Sequence, residues 1–274
     1  MRLGAFTVLT DEGIRPGALA SALEERGFES CFVGEHSHVP VHRETPNPNL
    51  VFRSLDPIVA LTAMAGTTSR LRLGTAVALV VQRDPIYLAK EVATLDLLSG
   101  GRVELGVGAG WLTEEMRNHG TDPATRGTLL RERVLAMKAI WTHDEAEFHG
   151  ELVDFDPIYQ WPKPVQRPHP PVLLGGWGAS THRRVLEYGD GWLPVAAGRS
   201  LAELAAAIGQ LQQHAQDQGR SRLAVTAAFA DPSPDDLARA ADIGVDRALV
   251  MVPDGAGENE ALELLDRYTG YLAR

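Results

Sequence analysis

The stretch "LDLLSGGRVELGVGAGW", residues 95–111, decides the fold. It ends a helical segment, turns on Ser99-Gly100-Gly101, runs through a strand from Arg102 and stops on a second glycine cluster, Gly106, Gly108 and Gly110. The first cluster reads as a helix C-cap, where a residue without Cβ takes the left-handed conformation cheaply. The second sits at the strand exit, where glycine marks something approaching the backbone closely.

Outward from this unit the same alternation repeats. Short apolar or β-branched runs at 3–9, 30–36, 71–79, 102–110, 171–177, 191–196, 223–230 and 247–253 read as eight strands. Helix-length segments lie between them. Asp84-Pro85 is an N-cap with proline at the first helical position. Ser200 with Glu203, and Ser233 with Asp236, have capping-box spacing. Between Arg126 and Trp141, apolar Leu129, Leu130, Val134, Met137 and Ile140 recur near a 3.6 period. Eight β-α units predict an α/β fold, a (β/α)8 TIM barrel, with residues 1–274 as one domain; a doubly wound open sheet is the rival. Two irregular stretches interrupt the pattern, 37–55 after the second strand and 143–170 before the fifth. Long loops of this kind are functional or lid-like.

Composition narrows the function. Of 274 residues, 44% are hydrophobic, enough for a full core. A net charge of −10 argues against nucleic acid, which selects basic faces. No run of about 18 apolar residues predicts a membrane span, and the start "MRLGAFTVLTDEG" is too short in apolar residues for a signal peptide. The only cysteine, Cys31, lies in apolar "SCFVG" and reads as an inert buried thiol. A cytoplasmic protein acting on a small molecule is expected.

In a barrel the strand exits are where sites form. The second strand ends in Glu35-His36, the fourth in Gly108-Ala109-Gly110-Trp111 and the fifth in "GGWGAST". Gly175-Gly176 lets a ligand reach the backbone, and a helix opening at Ser180 or Thr181 has free N–H groups that favour a phosphate. Arg183 and Arg184 are candidates for a longer anionic tail. Trp111 and Trp177 offer aromatic walls to a planar ring. "GVGAGW" lacks the third glycine of the dinucleotide fingerprint, and no acidic residue ends the next strand, so NAD binding of that type is rejected. His36 and His38 form His-x-His, but beyond an isolated Asp254 the strand exits supply no further ligands, and no metal is expected. His36 as a single acid/base group, or a histidine tying down its own loop, are the alternatives.

These residues resemble the bacterial-luciferase-like superfamily, specifically its coenzyme F420-dependent oxidoreductase branch. The matching stretches are "VGEHSHVP", "LRLGTAVALVVQRDPIYLAKEVATLDLLSGGRVELGVGAGWLTEEM", "RPHPPVLLGGWG" and "YGDGWLP". The resemblance implies a barrel with a deazaflavin or flavin across its C-terminal mouth. It implies a non-proline cis peptide at Ala76-Val77 behind the ring. It implies Gly108, Ala109 and Gly110 beside the cofactor, and Gly175, Gly176 and Trp177 at its phosphate region. His36 matches a polar position near the reacting face. Some relatives carry Glu where this chain has Trp111, which leaves the proton donor open. Glu115 resembles a recurrent Glu and reads as structural, bonding nearby backbone. Luciferase-like barrels often dimerise, so a homodimer is expected.

The implied chemistry is hydride exchange between F420 and a small organic substrate, with His36 polarising or protonating the substrate oxygen. The alternatives are an FMN-dependent monooxygenase using reduced flavin and O2, and a non-catalytic flavin-binding relative. A metal-dependent barrel hydrolase is a further option. Apolar Val39, Val41, Leu50, Val51 and Phe52 point to a partly hydrophobic substrate.

Overall fold

The computed structural model describes residues 1–43 and 53–272. Its strands are β1 (Arg2–Thr7), β2 (Ser30–Val33), β3 (Arg72–Thr75), β4 (Ala78–Leu79), β5 (Val103–Gly108), β6 (Glu145–His149), β7 (Asp154–Tyr159), β8 (Val172–Gly175), β9 (Gly191–Leu193), β10 (Ala224–Phe229) and β11 (Arg247–Met251). The helices are α1 (Pro16–Glu25), α2 (Pro57–Ala65), α3 (Pro85–Ser99), α4 (Thr113–Asn118), α5 (Arg126–Thr142), α6 (Ala179–Tyr188), α7 (Leu201–Asp217), α8 (Pro234–Asp242) and α9 (Glu258–Leu272). Parallel pairings run β1–β2–β3–β5–β8–β9–β10–β11 and back to β1, so eight strands close a barrel with the helices outside it. The open-sheet rival is thereby excluded.

The caps that delimit the helices are those the sequence encodes. The Asp84 carboxylate accepts from the Ile86 and Tyr87 amides at 3.0 and 2.9 Å. Ser200–Glu203 and Ser233–Asp236 form reciprocal capping boxes. Gly100 closes α3 in the left-handed conformation, φ 68°.

Two expectations need correction. The third strand does not run unbroken through 71–79: it stops at Thr75, passes a cis peptide between Ala76 and Val77, and resumes as β4. The stretch 143–170 is not wholly irregular, because β6 and β7 form an antiparallel hairpin outside the barrel. Pro157 lies within β7, where a two-stranded ribbon has outer edges that tolerate it. Its turn is held from a distance: the Glu132 carboxylate on α5 accepts from the amides of Glu151, Leu152 and Val153 at 2.9, 2.7 and 3.0 Å. Of the residues thought to line a substrate pocket, Leu50, Val51 and Phe52 lie outside the described residues, and Val41 is exposed.

The core has two parts. Between helices and barrel, residues such as Leu19, Leu23, Leu61, Leu88 and Leu211 are buried, each contributing about 1.5–3 kcal/mol. Inside the barrel, Phe6, Phe32, Leu173, Leu193 and Leu249 pack together. Cys31 is fully buried and burial pushes its thiol up to about 12, which makes it inert. The N-terminal end of the barrel is filled by charge instead. Arg247, 1% exposed, donates to Glu104 at 2.7 and 2.8 Å and to Glu29 at 2.7 and 2.8 Å, and Arg72 also donates to Glu104. Among the described residues no helix is long and apolar enough to cross a membrane.

Candidate functional site

The opposite, C-terminal end of the barrel opens into a cavity of about 480 Å³. All of Ala76, Val77, Gly108, Ala109, Gly110, Trp111, Gly175, Gly176 and Trp177 line it. Three strand exits far apart in sequence are thus brought together by barrel closure.

The glycines at the exits have a cause the sequence does not show. A Cβ on Gly108 would lie 2.5 Å from Val77 Cγ2, and one on Gly175 would lie 2.6 Å from Val77 Cγ1. Val77 is therefore lodged between the ends of β5 and β8, one methyl over each glycine. Gly106 does not line the cavity, and a Cβ there would meet the Thr75 carbonyl oxygen at 2.0 Å. Gly110, at φ 75°, takes the left-handed turn into α4. What approaches Gly108 and Gly175 is first of all the chain's own Val77.

The bulge that presents Val77 is braced from below. Glu35, buried at the end of β2, accepts from the Leu79 amide at 2.6 Å and from Arg83 Nε at 2.6 Å. Arg83 also reaches Asp56 at the start of α2 and Glu91 on α3, the latter at 3.4 Å.

One end of the cavity is cationic. Helix α6 starts at Ala179 after Gly178, φ 86°, with no side-chain cap, one residue earlier than Ser180. The Ala179 and Ser180 amides precede its first helical bonds, which run from Thr181 and His182 to the Gly178 carbonyl at 3.0 and 3.1 Å, and the helix dipole places positive charge there. Ser180 and Thr181 line the wall beside them, with the Thr181 hydroxyl donating to the Trp177 carbonyl at 3.1 Å. Arg184 lines the cavity and Arg183 does not; Arg126, at the start of α5, joins Arg184. Trp177 is held in place from several sides. Its indole N–H donates to the Val195 carbonyl at 2.8 Å, its ring meets Trp192 edge-on at 5.2 Å, and the Arg199 guanidinium stacks over it at 4.3 Å.

His36 is not on the wall of this cavity. Its ring meets Trp111, which is, edge to face at 5.7 Å and 79°. Its Nδ1 lies 2.9 Å from Glu115 Oε2, and Glu115 is 1% exposed. Glu115 Oε1 accepts from the Ser37 amide at 2.8 Å and the Ser37 hydroxyl at 3.1 Å. Burial pushes the Glu115 carboxyl up, but the hydrogen bond and charge of His36 and the donors of Ser37 outweigh it and hold it below the usual range. His38 turns to Ser37 Oγ at 2.9 Å and Asn118 at 2.8 Å, and His119 Nε2 lies 2.7 Å from Ser37 Oγ. Burial pushes the Asp254 carboxyl up, countered by the Val8 amide at 3.2 Å and the charge of His36. Among the described residues no three His, Cys, Asp or Glu side chains converge as a metal site.

The family model of luciferase-like monooxygenases matches residues 15–269. The chain belongs to the luciferase-like monooxygenase family. An uncharacterised protein of Mycobacterium tuberculosis is 42% identical over 272 residues, 95% of each chain. Among solved structures, a monooxygenase of Streptomyces bottropensis superposes with TM-score 0.85 at 18% identity, covering 100% of this chain and 99% of its own. An F420-dependent secondary alcohol dehydrogenase, solved with an F420-acetone adduct, superposes with TM-score 0.79 at 17% identity over 100% of both chains. At these identities the superpositions show a shared fold.

Several residues of this luciferase-like site escape a reading of sequence. Arg126 carries no motif and reaches the cavity only because α5 packs beside α6. Arg83 and Asp56 matter through Glu35, which the sequence shows only as a neighbour of His36. Glu115 does bond backbone, as expected, but its second oxygen meets His36, a contact across 79 positions of chain.

Proposed function

We propose that this luciferase-like protein is an oxidoreductase that binds coenzyme F420 across the barrel mouth and exchanges hydride between it and a small organic substrate. The observation that carries the reading is the polarity of one cavity. Its inner wall is apolar, from Val77, Ala109, Trp111, Trp177 and Leu193, and its far end is cationic, from Arg126, Arg184 and the start of α6. A planar ring ending in a phosphate needs both, and about 480 Å³ lies within the range of ligand sites. The residues fit the group. Ala76, Val77, Gly108, Ala109, Gly110 and Trp111 would hold the ring. Gly175, Gly176, Trp177 and the first amides of α6 would hold the phosphate, a natural site for an anion. When bound, the deazaflavin supplies a carbon that gives or takes hydride.

The chain's own part is orientation and proton handling. Val77, lodged between Gly108 and Gly175 on the cavity wall, would back one face of the ring. Trp111 and Trp177, both on the cavity wall, would cover apolar parts of the ring. His36, off the wall of this cavity but edge to face with Trp111, would give or take the proton of a substrate oxygen, a role worth typically 10²- to 10⁴-fold. Arg126 and Arg184 extend the cationic end past a single phosphate, which suits a cofactor with a longer anionic tail. An FMN-dependent monooxygenase using O2 is the second reading, favoured by the match to the monooxygenase family model.

The test is fluorescence titration of the purified protein with F420 and, separately, with FMN. Tight binding of F420 alone is expected. Preference for FMN replaces the reading with an oxygen-using monooxygenase, and binding of neither overturns both.

A further inference from the structure

The two oxygens of Glu115 are already divided between partners. Oε1 accepts from the Ser37 amide at 2.8 Å, the Ser37 hydroxyl at 3.1 Å and the His38 amide at 3.5 Å. Oε2 meets His36 Nδ1 at 2.9 Å. A backbone N–H only donates, so Oε1 must accept. An ionised carboxylate only accepts, so Nδ1 of His36 must donate to Oε2. The side chain is 1% exposed, and no large solvent rearrangement is open to it. A mere staple for the 37–38 backbone needs no charge, since an amide oxygen would accept the Ser37 N–H equally well. The carboxylate is needed by the imidazole alone.

We infer that Glu115 is the positioning residue that fixes His36 with its proton on Nδ1, so that proton exchange with a substrate oxygen runs through Nε2. The inference deepens the proposed function only in giving His36 its reacting nitrogen. The tautomer itself is a property of the protein without cofactor. A carboxylate behind an imidazole sets which nitrogen reacts and stabilises the imidazolium that forms.

The experiment is a long-range ¹H–¹⁵N correlation spectrum of protein labelled with ¹⁵N-histidine, without cofactor, at neutral pH. The wild type is expected to carry a proton on His36 Nδ1. In Glu115→Gln the Ser37 amide claims the side-chain oxygen, the NH2 turns to His36, and an NH2 can only donate. The His36 proton is therefore expected to move to Nε2. Ser37→Ala keeps both the backbone N–H and the carboxylate, so the Nδ1 proton is expected to stay. With a turned-over substrate, Glu115→Gln loses about 10²- to 10⁴-fold in kcat, the whole contribution of a positioned acid/base. An unprotonated Nδ1 in the wild type overturns the inference, as does a Gln variant that keeps the proton on Nδ1. If the Gln variant does not fold, the wild-type spectrum decides alone. Failure of F420 to bind leaves this result standing, so the two readings fail separately.

Discussion

Replacing Gly108 with alanine tests the lodging of Val77 directly. The new Cβ would stand 2.5 Å from Val77 Cγ2, whereas carbon atoms in contact sit at about 3.5–4.0 Å. The overlap is therefore about 1 Å or more. Neither Gly108 nor Gly175 has a positive φ, so alanine costs nothing in backbone conformation and the overlap is the whole penalty. Val77 is β-branched and stiff at χ1, and its other methyl is committed to Gly175. Relief must come from the backbone of β4 or β5, and overpacking of this kind costs about 1–3 kcal/mol. For a chain of this length, 1 kcal/mol corresponds to about 2–4 °C in Tm. Val77→Ala removes both methyls and, at partial burial, costs about 1 kcal/mol. In that background Gly108→Ala has nothing to strike, and its cost falls below about 0.5 kcal/mol. Urea unfolding of the four proteins measures the difference as a coupling of about 1–2 kcal/mol. Gly106→Ala serves as the control. Its Cβ would strike the Thr75 carbonyl at 2.0 Å, so Val77→Ala does not relieve it. If the costs of Gly108→Ala and Val77→Ala simply add, the glycine is there for some other reason and the argument fails.

Two further predictions follow from charge. Arg184→Ala is expected to weaken binding of a phosphate-bearing cofactor by about 10- to 100-fold, the worth of a charge-assisted hydrogen bond, and to flatten its salt dependence. Arg183→Ala, off the cavity wall, changes it less than about two-fold; equal effects in a fluorescence titration would remove Arg184 from the site. Glu24 is held at about 2 because the Arg70, Leu71 and Ser69 amides and the Ser69 hydroxyl outweigh the upward push of burial. A depressed carboxyl gives stability that is present above its unfolded value, about 4.3, and lost as pH falls toward about 2. Glu24→Gln should therefore be less stable than wild type at pH 7, with the gap narrowing steadily below about pH 4.5 in urea titrations; a pH-independent gap contradicts this.

The barrel was legible because its punctuation is local. Asp84, Ser200, Ser233 and Gly100 act within four residues of themselves, and the eight apolar runs announce strands by composition alone. The site was legible as a list of loops, since strand exits are where a barrel gathers its chemistry. What could not be read is pairwise and distant. Gly108 and Gly175 read as room for a ligand, and both line the cavity, but the sequence gives no sign that each also lies against a methyl of Val77. Arg183 and Arg184 are indistinguishable in sequence, and only the 100° turn per residue of α6 decides which faces the cavity. The hairpin of β6 and β7 lies in a stretch whose sequence shows no clear strand pattern, and its turn depends on Glu132, a residue on another element. Glu115 announced a backbone bond and concealed its bond to His36.

The ionic layer at the closed end of the barrel has a consequence for how the chain finds its shape. Arg247, Glu29, Glu104 and Arg72 come from β11, the approach to β2, β5 and β3, segments spread over most of the chain. Apolar layers tolerate repacking, but a charge pointing into a barrel without its partner costs several kcal/mol. A strand slipped by one residue turns its side chains to the other face and leaves such an orphan. The layer therefore works as a checksum on closure, satisfied only when the first and last thirds of the chain have both arrived in the right alignment. A fragment ending before β11 keeps Glu29 and Glu104 but has no Arg247 to meet them, so this barrel is built to be completed or not formed at all.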